Sequence, residues 1–123
     1  MEGPHADTAL VELLAAALDV VPHPLIVSDF RSVLFANAQM RALLGYSDRS
    51  ELEGLDPLQI VHPDVHEAMR ARRELLSNGS RGLTGVPTKL LAADSSVIAA
   101  TVTIIPLRHE GFRCAVFTFT PRP

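Results

Sequence analysis

The chain reads as an α+β domain: a five-stranded antiparallel sheet with short helices on one face and a flanking N-terminal helix. Three observations predict it. Its 123 residues suit one domain rather than two. Two short β-rich runs stand early, and three longer ones fill the last third. Between them lie short segments bounded by residues that start and stop helices. Residues 1–21 are expected to form a flanking, dimerising helix, 22–120 the body of the domain and 121–123 a tail.

The first helix is predicted over residues 9–21, behind an N-cap at Asp7-Thr8, and it stops at Pro22-His23-Pro24. Eleven of those thirteen residues are apolar, so one covering partner is not enough. Leu10, Leu14, Ala17 and Val21 recur at 4-3-4 spacing, a short coiled-coil-like seam expected to meet a second subunit. The other face is expected to lie on the domain's own sheet, opposite the short helices. A helix wedged wholly within one domain is the alternative.

Leu25 to Ser28 and Val33 to Ala36 form a predicted hairpin around Asp29-Phe30-Arg31-Ser32. Asn37 caps a helix to Leu44, and Gly45 suits the left-handed position after it. Ser50 and Glu53 are spaced as a capping box for one turn ending at Gly54. Pro57 to Val61 is a short apolar piece, and Asp64 with Glu67 is expected to start a helix that reaches Ser77 and stops at Asn78-Gly79. Its buried stripe is read as Val65, Ala68, Met69, Leu75 and Leu76. A meander follows, about Leu83 to Ala92, Val97 to Leu107 and Phe112 to Thr120, with both faces of the second strand apolar. Pro87 cannot donate to a ladder, which puts its strand at a sheet edge.

Composition narrows the function. With 47% apolar and 20% charged residues the chain needs neither a disulfide nor a metal to fold, and Cys114 is its single cysteine. The acidic start Met1-Glu2-Gly3-Pro4 is unlike a secretory signal, so a cytoplasmic location is expected. The longest apolar run, Leu13 to Leu18, falls far short of the roughly 18 residues of a membrane span. Net charge is −3 and the arginines are dispersed, which argues against nucleic acid. Six aromatics and no tryptophan leave little to stack on a flat cofactor.

Several strings, in order, resemble a PAS domain, the small sensory module of histidine kinases, cyclases and transcription regulators. Phe35-Ala36-Asn37-Ala38 is similar to the family's strand-to-helix "vN-a", and Leu44-Gly45-Tyr46-Ser47 with Glu51-Leu52-Glu53-Gly54 to "l-G-y-s…eeL-G". Val61-His62-Pro63-Asp64 resembles "vhPdd", and Ala93-Asp94-Ser95-Ser96-Val97 the "k-D-G-s" hairpin with Ser95 in place of glycine. The resemblance covers about Leu18 to Thr120 and implies the second and third strands at the sheet edges, with dimerisation through the helix before the first strand. It also implies a cavity between sheet and short helices, lined by Leu43, Tyr46, Leu58, Ile60, Val61, Met69, Val102, Ile104, Cys114 and Val116. In place of the family's terminal "D-I-T" stand Thr118-Phe119-Thr120, without the aspartate that couples the sheet to an outgoing helix.

Specific chemistries find little support. His62 and His66 flank Asp64, but Pro63 sets His62 outside the helix, so packing at the helix entry is expected rather than a metal. The position matching the family's axial haem histidine is Arg70, and the photosensor string "N-C-R-F-L-Q" is absent. Neither haem nor flavin is therefore expected. Cys114 reads as a small hydrophobe in a strand, and Thr101, Thr103, Thr118 and Thr120 as ordinary strand residues. Tyr46 with Asp29 or Asp56 is the one raw material for acid-base catalysis, and both aspartates read better as turn residues.

The reading is a non-catalytic, homodimeric sensory module that acts on an output domain or partner signalling protein, with a small apolar molecule as possible ligand. The alternative is a purely structural interaction domain with no ligand; a small pocket enzyme stands third.

Overall fold

The computed structural model describes residues 4–77 and 81–122. Helix α1 spans Pro4–Asp19, strand β1 Leu25–Ser28, β2 Val33–Ala36, helix α2 Ala38–Leu44 and helix α3 His66–Ser77. Strands β3 (Leu83–Leu91), β4 (Val97–His109) and β5 (Phe112–Pro121) complete the chain, and 3-10 turns fill 49–51, 57–60 and 63–65. The five strands form one antiparallel sheet in the order β2-β1-β5-β4-β3, so β2 and β3 are its edges. Pro87 therefore sits where the ladder can spare a donor.

Local chemistry accounts for the helix limits. The Asn37 side chain accepts from Met40 N at the start of α2, and Gly45 closes it at φ 83 with its N–H on the Arg41 carbonyl. Two caps differ from expectation. The turn at 49–51 is started by Asp48, whose N–H, like that of Ser47, donates to the Glu51 carboxylate. Ser50 lies inside this turn. His62, not Asp64, opens the approach to α3, its Nδ1 accepting from Asp64 N at 3.1 Å. Pro63 holds His62 in an extended conformation, so the imidazole points back over the turn it precedes. The expected stop at Asn78-Gly79 lies outside the described residues.

The core lies between the sheet's inner face and α2, α3 and the 3-10 turns, around Ile26, Met40, Leu44, Leu52, Leu90 and Phe119. In α3, Ala68 and Leu75 are exposed, and the inward stripe runs Val65, Met69, Arg72, Leu76. Arg72 and Arg73 are half-buried, although neither belonged to the expected stripe. An amphipathic helix rotates to bury its best continuous line, and these stems cover apolar surface while keeping a charged head.

The first helix departs most from the expectation. It starts at Pro4, before the expected cap, and ends at Asp19, so Val21 falls outside it and only Leu10, Leu14 and Ala17 of the seam are helical. Val21 precedes Pro22, which disfavours helical backbone there. Nor does α1 cover the sheet: Leu10, Val11, Leu13 and Leu14 are each more than half exposed, and on the outer sheet face Val97, Ile105, Leu107 and Phe112 are exposed too. The last turn of α1 is pinned to α2 rather than to the sheet: Arg41 Nη1 meets Asp19 Oδ1 at 2.9 Å.

Candidate functional site

The inner face of the sheet is set by strand alternation. On β5, Ala115, Phe117 and Phe119 turn inward with Val102 and Ile104 of β4 and Thr88 of β3. Cys114 and Val116, expected in the cavity, are on the opposite face, paired with Leu107 and Ile105. Both faces of β5 are apolar, so periodicity shows two faces without saying which one the helices cover.

Beneath α3 the interior keeps three small adjoining cavities of about 30 Å³ each. Met69 and Phe117 line all three. Of the expected lining, Ile60, Val61, Met69, Val102 and Ile104 are brought together here. Tyr46 and Leu58 pack against the core elsewhere, and Leu43 borders an outer crevice beside Pro22, Pro24 and Pro121. The sequence reading missed Ile26, Ser28, Phe30, Pro57, Thr88, Arg72, Leu76, Phe117 and Phe119. The legible signal was the 4-3-4 spacing of Met69 with Val65, Arg72 and Leu76, passed over because an arginine sits in it.

Four polar side chains, Ser28, Thr88, Arg72 and Arg73, border these cavities. The Ser28 hydroxyl is used by the hairpin: it donates to the Ser32 carbonyl at 2.9 Å and accepts from Phe30 N at 3.2 Å. Thr88 is 6% exposed, and among the described residues no buried side-chain nitrogen or oxygen lacks a hydrogen-bond partner. Arg72 borders two of the cavities without an ion pair among the described residues, and burial pushes its guanidinium below its ordinary value. Arg73 beside it is held by Asp56 at 3.7 Å.

A second site joins α1 to the body. Asn37 is fully buried, and its Oδ1 accepts from Leu25 N and Met40 N, each at 3.0 Å. Its Nδ2 donates to the carbonyls of Leu18 (3.3 Å), Val21 (3.2 Å) and His23 (2.8 Å). One amide thus ties the end of α1, the start of β1 and the start of α2. The sequence showed this residue only as a cap, because the other partners lie far along the chain.

The remaining candidates have local roles. His66 Nε2 donates to the Val61 carbonyl at 3.0 Å, and Arg70 is exposed. No cluster of three or more metal-ligating side chains occurs among the described residues. Asp29 closes the hairpin link, accepting from Arg31 N and Ser32 N, and Asp56 accepts from Leu58 N. The Thr103 hydroxyl accepts from Gly85 N on the outer side of the edge strand. Burial, and then the nearby Asp29 charge, push the Cys114 thiol up, so it is a thiol rather than a thiolate at neutral pH. No described helix is long and apolar enough to cross a membrane.

This architecture, one antiparallel sheet in the order β2-β1-β5-β4-β3 with the core between its inner face and the helices, defines an α+β fold. Residues 12–122 match the family described as PAS fold, and the chain belongs to that family. Solved structures agree. A PAS domain from a two-component sensor histidine kinase superposes with a TM-score of 0.73 at 12% identity, covering 94% of this chain and 99% of that one. The PAS domain of a Colwellia psychrerythraea protein gives 0.77 at 18% identity, over 92% and 97% of the two chains. The LOV protein of Rhodobacter sphaeroides gives 0.78 at 16% identity, over 92% and 67%. No curated protein matches the chain.

Proposed function

We propose that this domain is a non-catalytic sensory and regulatory module of a cytoplasmic signal-transduction protein, such as a histidine kinase, cyclase or transcription regulator. It works as a homodimer through α1. The observation that carries this reading is a helix whose Leu10, Val11, Leu13 and Leu14 stand in solvent while its last turn is fastened to the body by Asp19 and Asn37. Each such side chain gains about 1.5 to 3 kcal/mol on full burial, so a second copy is the natural cover. The outer sheet face, with Ile105, Leu107 and Phe112, offers further apolar surface to the same dimer. A change inside the body reaches α1 through Asn37 and alters the populations of two dimer arrangements.

The cavity around Met69 is the expected place for a small ligand. Ligand pockets usually measure about 300 to 1,000 Å³, so the three cavities of about 30 Å³ must both merge and expand to admit one. Met69 separates them, and its unbranched side chain changes rotamer at little cost. The small size of the cavities is also what favours the second reading, a dimerisation domain with no ligand.

Sedimentation of the native chain and of Leu14→Glu tests the proposal. A dimer that becomes a monomer supports it; a dimer unchanged by the substitution removes α1 from the interface.

A further inference from the structure

We propose that the entry to α3 is a pH-operated clasp, in which a proton taken up by His62 exchanges the cap of the turn at 63–65 for an ion pair with Asp64. The clasp needs neither a ligand nor a dimer, so it stands apart from the reading above. His62 Nδ1 accepts from Asp64 N at 3.1 Å, which requires that nitrogen to be bare and the ring neutral. The Asp64 carboxylate stands 3.5 Å from the same nitrogen. One ring atom therefore has a donor to serve its neutral form and an acceptor to serve its charged form, both on the same residue.

Histidine is the side chain whose charge ordinarily changes between about pH 5 and 8. A proton from solvent goes to Nδ1, and an N–H there no longer accepts: Asp64 N loses its partner, and Nδ1–H turns to Asp64 Oδ2. The charged or titratable groups around the ring are Asp64 itself, Lys89 of β3, whose Nζ lies 3.4 Å from Asp64 Oδ2, and His66 and Glu67 at the start of α3. The turn at 57–60 brings none. Asp64 then serves two cations, and its hold on Lys89 weakens. His66 stays out of the exchange, because its Nε2 donates to the Val61 carbonyl and a proton on its other nitrogen leaves that bond in place. The backbone on either side is fixed, His62 N on the Lys89 carbonyl at 2.9 Å and Val65 N on the His62 carbonyl at 3.0 Å. The imidazole therefore changes partner without leaving its place. What gives is the turn that leads into α3, and Met69, which lines all three cavities, lies in the next turn of the chain.

The test is NMR of the native chain between about pH 8 and 5, with the His62 ring, the Asp64 amide and the Met69 methyl followed together. The amide and the methyl should shift in step with the ring. Exchange protection of the Asp64 amide, corrected for the intrinsic rate, should fall about fivefold on acidification, as for the loss of one cap. His62→Asn keeps an acceptor at the cap that takes no proton, so its protection should stay level across the range. Asp64→Asn removes the partner of the charged ring and should deepen the loss in acid while leaving the neutral form unchanged. An Asp64 amide that ignores the His62 titration, or whose acid response persists in His62→Asn, would overturn the clasp.

Discussion

The Arg41 guanidinium closes on the Asp19 carboxylate at 2.9 Å, joining the last residue of α1 to the middle of α2. The same nitrogen donates to the Ala36 carbonyl at 3.0 Å, so it also touches the end of β2. Both side chains are partly exposed, and an ion pair of this kind contributes about 0.2 to 1 kcal/mol. Asp19→Asn should therefore change overall stability by less than about 1 kcal/mol. It should, however, speed hydrogen exchange in the last turn of α1 while the sheet amides keep their protection. Unchanged exchange in that turn would mean the pair anchors nothing.

Asn37 is the stronger anchor. Asn37→Ala leaves the Val21 and His23 carbonyls and the buried N–H groups of Leu25 and Met40 to find new partners, at a cost of about 3 kcal/mol or more. Asn37→Asp should be worse at neutral pH, since a carboxylate would face three carbonyl oxygens, and should recover on mild acidification as it takes a proton. Denaturant melts of both variants at two pH values check this.

Gly82, just before β3, lies against β4. A Cβ there would run into the Ile104 carbonyl oxygen and touch Pro106 Cδ. The obstacle is backbone, so Gly82→Ala should cost about 1 to 3 kcal/mol and loosen the start of the edge strand. A thermal melt within error of the native chain would show that β3 moves freely aside.

Acid sensitivity should show at Asp29. Burial alone would raise its carboxyl, but the N–H groups of Ser32 and Arg31 and the Ser32 hydroxyl outweigh it, and its pKa falls below the ordinary 3.8. A lowered native pKa binds the proton less readily than the unfolded chain does, so this carboxylate's contribution is present above 3.8 and is lost as pH falls through the native value. Asp29→Asn should flatten the acid limb of stability against pH. It should also make Cys114 more reactive toward a disulfide reagent, because the Asp29 charge helps hold that thiol protonated. Equal thiol rates in the two proteins would separate the pair.

Outside α1, the outer sheet face exposes apolar side chains, with Ile105 at 49%, Leu107 at 47% and Phe112 at 55%. Leu107→Glu should weaken self-association without lowering the melting point of the monomer, as read by sedimentation across a concentration series. A melt that falls with dimerisation unchanged would make Leu107 a folding residue instead.

Much of the fold was legible from end to end. The limits of β1, β2 and α2 came directly from turn and cap residues, because an N-cap at Asn37 and a left-handed Gly45 act on neighbours within one helical turn. Pro87 identified the edge strand because a missing N–H is a property of one residue. The candidate site was half legible: Met69, Val61, Val102 and Ile104 were expected in the lining, whereas Cys114 and Val116 point away from it. On a strand apolar on both sides, nothing in the sequence says which side meets the helices.

The sequence by itself determined the kinds of element, their order, the edge position of β3 and the surplus of apolar surface on α1. These follow from composition, period and the chemistry of single residues. Only the tertiary structure decided that Met69 and Phe117 line the interior cavities together, that Asn37 ties three segments together, and that α1 stands off the sheet. Those facts depend on register and on the packing angle between elements distant in the chain, and local propensity carries no record of either.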